Sequence, residues 1–101
     1  MPDEIKQKVC VITRTNAEDK EEVYGHAIFC PGCNQVHCLD KRWSFNNNFD
    51  APTFSPSLLC TKDEPARRCH SFITDGRIQF LNDSYHALKG TTVDLPLFHW
   101  D

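Results

Sequence analysis

No stretch of this chain is apolar for anything near the roughly 18 residues that a membrane-spanning helix needs. The first ten residues, "MPDEIKQKVC", lack the apolar core of a signal peptide, which places the chain in the cytosol. There is no excess of positive charge. With a net charge of −3, the chain has no electrostatic reason to bind nucleic acid strongly. Internal repeats and low-complexity segments are missing too. So is an H-E-x-x-H metalloprotease signature, which lowers the case for a catalytic metal. What remains is a chain with 40% hydrophobic and 25% charged residues, a globular composition in 101 residues, hence one domain over 1–101. A domain this short buries a modest core and gains from a metal, disulfides or a partner.

Six cysteines stand out: Cys10, Cys30, Cys33, Cys38, Cys60 and Cys69. In a reducing compartment they point to metal binding or free thiols rather than to a disulfide framework. "FCPGCNQVHCL" concentrates the signal. A thioredoxin-like pair would open a helix, and "PGCNQVHCL" has neither a helix start nor helical periodicity. "VYGHAIF" and "NQVHCLD" instead read as strands flanking a tight C-P-G-C turn, with Pro31 fixing φ and Gly32 free to take φ > 0. Such a zinc knuckle lets backbone N–H groups point at sulfur.

Elsewhere, "KVCVIT" is β-like, and "RTNAEDKEE" reads as an exposed loop, so residues 1–22 form a partly mobile N-terminal segment. "NNNFDAP" is a loop by composition, and Pro52, Pro56 and Pro65 exclude a continuous helix there. "CHSFITDGRIQFL" is the clearest hairpin, with Gly76 suited to a left-handed position. "NDSYHALKG" predicts one short helix, capped by Asn82 or Asp83 and ended by Gly90. "TTVDLPLFHW" reads as a strand or extended tail. The expected fold class is α+β: a β-rich small single domain with a zinc knuckle, antiparallel hairpins and one short helix.

Zn2+ takes four N/S ligands, and a closed thiolate-rich set is structural. Cys30, Cys33, His37 and Cys69 make the expected set, with His70 or His86 as alternatives for the remote position. On a strand, Cys69 and His70 face opposite ways. Cys10, Cys38 and Cys60 read as small buried hydrophobes. His26 and His99 read as surface or core histidines. With Cys69 turned to the metal, His70 is free for other work. "PTFSPSLL" holds Ser55 and Ser57 in a constrained turn, and a serine nucleophile needs a base and an orienting group. Ser57 with His70, oriented by Asp83 or His86, is the candidate catalytic set, and the "SPSL" turn offers N–H groups to an oxyanion. The bland reading, in which the serines make ordinary turns beside prolines, stays open.

The motifs "CPGCNQVHCL", "RWSF", "PTFSPSLL", "CHSFITDGRIQFL" and "HALKG" followed by "TVDLP" resemble a family of small phage and bacterial zinc-binding proteins of unassigned function. Its members often carry the label ammonia monooxygenase, an activity of large copper membrane enzymes that does not suit a chain without a membrane span. Relatives found beside bacterial ubiquitin-like conjugation genes are proposed to be zinc-containing serine-type peptidases. The resemblance covers about residues 25–96. It implies His37 at the motif histidine, Ser57 in the P-[ST]-hydrophobic-x-P-S segment at 52–57, and His70 at the start of the H-x-[FW]-[IV]-x-[DN]-G segment. Asn34 departs from the motif glycine. Arg67 stands where operon-linked members place a cysteine, which leaves the fourth ligand open.

Three functions follow from these readings. The first is a zinc-containing small hydrolase, a serine-type peptidase acting on a ubiquitin-like or other protein in the bacterial cytosol, the host's if the chain is phage-encoded. The second is a non-catalytic zinc-built module that binds a host or defence protein through Trp43, Phe45 and Trp100. The third is a nucleic-acid-binding zinc ribbon using Lys41, Arg42, Arg67 and Arg68, which the net charge opposes.

Overall fold

A computed structural model of the protein describes residues 7–60 and 65–99. Among the described residues, eight strands form two antiparallel sheets. The first sheet contains β1 (Cys10–Thr15), β2 (Glu21–Cys30) and β3 (Gln35–Asp40), in sequence order. The second contains β4 (Ser44–Phe45), β5 (Phe54–Cys60), β6 (Cys69–Thr74), β7 (Arg77–Phe80) and β8 (Thr92–Asp94), again in sequence order. Within each sheet every strand pairs antiparallel with its neighbour in the chain, and the chain crosses between the sheets after β3. One buried cluster joins the sheets, with Ile28 and Leu39 from the first, Val9 just before β1, and Phe54, Leu58, Ile73, Ile78 and Phe80 from the second.

Alternation sets what each strand shows. Along β6, Cys69, Ser71 and Ile73 are buried, while His70, Phe72 and Thr74 face outward. The β6–β7 turn uses Asp75 (φ 51°) and Gly76 (φ 80°), two left-handed residues in a row, which match the twist of a two-residue hairpin. Between β5 and β6 the register slips. Phe54 faces Ile73 and Leu58 faces Ser71, so Ser55, Pro56 and Ser57 together oppose Phe72 alone. Pro56 has no N–H for the ladder, and a bulge accommodates it. The Ser55–Pro56 peptide is cis.

Several expectations are corrected. The short helix over "NDSYHALKG" does not form, and the described residues contain no α-helix, only a single 3-10 turn at Pro65–Arg67. The reason lies in the backbone donors. Tyr85 N–H donates to Arg68 C=O and Gly90 N–H to Phe80 C=O, so neither reaches back four residues. The bonds that span three residues are isolated turns, Ser84 to Leu81, Lys89 to His86 and Thr91 to Leu88. The fold is therefore β-rich rather than α+β. The "RTNAEDKEE" loop shrinks, because β1 runs to Thr15 and β2 begins at Glu21. Cys38 is exposed and Cys10 and Cys60 are half-buried, so none of the three is fully buried. Phe45 stacks on Phe54 at 4.7 Å and Trp43 packs against the core, which removes both from a free aromatic surface. Trp100 lies outside the described residues. Residues 1–6, part of the N-terminal segment expected to be mobile, also lie outside them.

Candidate functional site

The bulge, β6 and the turn after β7 converge on the outer face of the second sheet. Ser57 leaves β5 at the bulge, His70 points out of β6, and Asp83 sits on the turn. His70 Nε2 lies 3.1 Å from Ser57 Oγ, and His70 Nδ1 lies 3.1 Å from Asp83 Oδ2. With Nδ1–H donated to the carboxylate, Nε2 is left as the acceptor for the serine hydroxyl. That is the tautomer a general base needs. Asp83 is 44% exposed, so its contribution is orientation more than a buried charge. Ser55, the alternative nucleophile, is exposed, and its carbonyl accepts a hydrogen bond from Ser44 of β4. Trp43 Nε1–H donates to Ser57 C=O at 3.3 Å and pins the bulge from the other side.

Seen from His70, the next residue back in the chain belongs to a second cluster. Cys30, Cys33, Cys69 and His86 bring their ligand atoms within 4.8 Å of one another. Cys30 and Cys69 are almost fully buried, and their sulfurs are 3.9 Å apart. His86 Nε2 lies 3.4 Å from Cys69 Sγ. The knuckle turn is built for this: Cys33 N–H donates to Cys30 Sγ, and the positive φ falls on Asn34 (58°) rather than on Gly32. Glycine is required at 32 for space instead. A Cβ there would collide with the His86 ring.

The donor set fits a cation. Hydrogen bonds from the Cys30 and Cys69 thiols pull Cys33 well below the usual thiol range, while Cys30 and Cys33 push Cys69 up. Sulfurs this close cannot all ionise without a positive charge among them. Burial lowers the His86 pKa, which favours the neutral imidazole that ligates metals. His37 stands outside the four-donor group. Burial opposes its charge, but the thiols of Cys30, Cys33 and Cys60 push its pKa up to about 12. Its Nε2 is buried with no hydrogen bond of good geometry, an orphan that belongs beside a metal centre or its outer ring.

The structure thus brings together Ser57, His70 and Asp83, and separately Cys30, Cys33 and Cys69. His86, weighed both as an orienting group for His70 and as an alternative remote ligand, lies among the thiols, and His37, expected as a ligand, lies next to them. The sequence reading missed Ser84, whose Oγ contacts the His70 backbone, and Tyr85, whose hydroxyl reaches Cys33 and is held above the ordinary phenol range by that contact. A serine and a tyrosine inside an apparent helix carry no signal of either role.

The family model for the bacterial ubiquitination-like system serine protease (BubE) matches residues 1–81. The chain belongs to the BubE family. No curated protein and no solved structure matches it. The BubE match contains Ser57, His70 and all six cysteines, while Asp83 and His86 lie past its end. BubE proteins are serine proteases by description, so the protein has a protein as its expected class of partner. Among the described residues, no helix is long and apolar enough to cross a membrane.

Proposed function

We propose that the protein is a serine peptidase of a bacterial ubiquitin-like conjugation system, with Ser57 as nucleophile, His70 as general base and Asp83 as the orienting group. The observation that carries this reading is the unbroken hydrogen-bond chain from Ser57 Oγ through both ring nitrogens of His70 to Asp83. Ser57 Oγ attacks the scissile carbonyl as its proton passes to His70 Nε2. The imidazolium, held by Asp83, then returns that proton to the leaving amine. Water, activated by the same nitrogen, hydrolyses the acyl-enzyme and regenerates Ser57. The substrate is a protein, and the tail of a ubiquitin-like protein is the specific target we assign.

Cys30, Cys33, Cys69 and His86 hold a metal in this reading, and the thiolate-rich set selects Zn2+. A closed four-donor site leaves no open position for water, so its role is structural: it ties the β2–β3 knuckle to β6 and to the turn after β7.

A serine-directed fluorophosphonate probe tests the catalytic assignment. Adduct mass on the peptide containing Ser57, absent in Ser57→Ala and strongly reduced in His70→Ala, is the expected result. Labelling that is absent, or that falls on another serine, returns the protein to the class of zinc-built binding modules.

A further inference from the structure

Between Asp83 and the metal cluster sits one buried hydroxyl. Ser84 is 3% exposed. Its Oγ accepts a hydrogen bond from His70 N–H at 3.0 Å and donates one to His70 C=O at 2.9 Å. One side chain therefore bonds both backbone groups of the base and shares the carbonyl with Leu81 N–H. β7 would otherwise supply these partners. The β6–β7 register ends with Ser71 opposite Phe80, one residue short of His70; Leu81 N–H donates to His70 C=O, and His70 N–H donates to Ser84 Oγ. Ser84 substitutes for the missing strand. It does so from the position next to Asp83, and the ring of His70 meets Asp83 13 residues away in sequence through this one contact zone.

The neighbours of this clamp matter. Cys69 precedes His70, and His86 follows Ser84 by two residues, so the two segments that carry the base and its orienting carboxylate each end in a member of the thiol–imidazole cluster. Tyr85 N–H adds a backbone bond to Arg68 C=O. The turn is thus fastened to β6 on both sides of Asp83, while Asp83 itself is exposed. An exposed carboxylate on a turn without helical hydrogen bonds has no rigidity of its own.

We propose that Ser84 is the positioning residue of the Ser57–His70–Asp83 triad. It holds the turn on the backbone of His70 so that Asp83 meets Nδ1, and it contacts neither substrate nor the reacting atoms. The inference rests on the serine-peptidase reading, and its test is built to fail separately.

The test is a double-mutant cycle read by the rate of fluorophosphonate labelling at Ser57, with Ser84→Ala and Asp83→Ala singly and together. A residue that acts through Asp83 loses its effect once Asp83 is gone. Ser84→Ala is expected to slow labelling by about tenfold or more in the wild-type background and by under about twofold in the Asp83→Ala background. Ser84→Thr, which keeps the hydroxyl, is expected to restore most of the rate. Equal losses in both backgrounds, or no loss in either, overturn the proposal. A second measurement needs neither variants nor activity. In the wild-type protein, the His70 amide is expected to resist hydrogen exchange as well as the Ser71 amide inside the sheet. Exchange as fast as that of exposed loop amides overturns the clamp. Wild-type protein that does not label at Ser57 refutes the peptidase reading, and the exchange result still decides whether Ser84 holds His70.

Discussion

His70 satisfies three groups at once: a hydroxyl on Nε2, a carboxylate on Nδ1, and a serine on its backbone. The imidazole can act as a base only in the tautomer that Asp83 selects. Asp83→Asn can present its amide N–H toward Nδ1 and stabilise the opposite tautomer. This substitution is expected to slow Ser57 labelling by on the order of a thousandfold with little change in thermal midpoint, since the side chain is exposed. Gly32 illustrates a different residue-scale constraint. Its value is the absence of a Cβ where the His86 ring lies, not backbone freedom. Gly32→Ala is expected to weaken metal binding by roughly 10–100-fold, read by competition with a chromophoric chelator. A ring displaced from the thiols loses its ligand geometry.

At the scale of elements, the β6–β7 hairpin and the turn that follows it are built by opposite means. The hairpin is local: alternating strands and two left-handed residues specify it. Gly76→Ala puts a Cβ at φ 80° and against the Ala51 backbone, and is expected to cost about 1–2 kcal/mol in urea unfolding. The turn over 81–90 is not local. Its sequence has a cap, a C-terminal glycine and good helix formers, yet its N–H groups go to Arg68 and Phe80. Tertiary partners outbid helix propensity, which is worth only tenths of a kcal/mol per residue. The same contrast separates the two serines of the bulge. Both stand beside Pro56, and only the register of β5 on β6 decides that Ser57 is the one facing His70.

At the scale of the whole molecule, two sheets share one core, and the thiol–imidazole cluster joins them through Cys30 of β2 and Cys69 of β6. Chelation is expected to lower the thermal midpoint and to reduce Ser57 labelling in parallel, because the cluster flanks both His70 and Asp83. Labelling that is unaffected in metal-free protein would separate the two sites. A second global effect follows from His26, which sits among Phe45, Phe49 and Phe54 with its pKa lowered by burial. Above about pH 6.5 the ring is neutral in both the folded and unfolded states, and its full contribution to stability is present. As the pH falls through the lower folded-state pKa, unfolding takes up the proton more readily and stability is lost. The urea midpoint is therefore expected to drop between pH 7 and pH 5, and His26→Leu is expected to flatten that slope.

The strands around the knuckle, the C-P-G-C turn and the Asp-Gly hairpin were legible in the chain, because each depends on periodicity, turn chemistry or a short motif, whereas β5, read as a constrained turn around Pro56, and the meeting of Ser57 with His70 depend on the register of β5 on β6. The opposite orientation of Cys69 and His70 was legible for the same reason: adjacent residues of a strand face opposite sides. Which histidine joins the thiols was not. His37 and His86 carry the same chemistry, and only the approach of the turn to Gly32 brings His86 Nε2 within reach of Cys69. The failed helix and the hidden role of Ser84 share that cause. Local sequence determines what a segment prefers alone, whereas the partners of its backbone N–H groups and buried hydroxyls are chosen by whatever the fold places beside them.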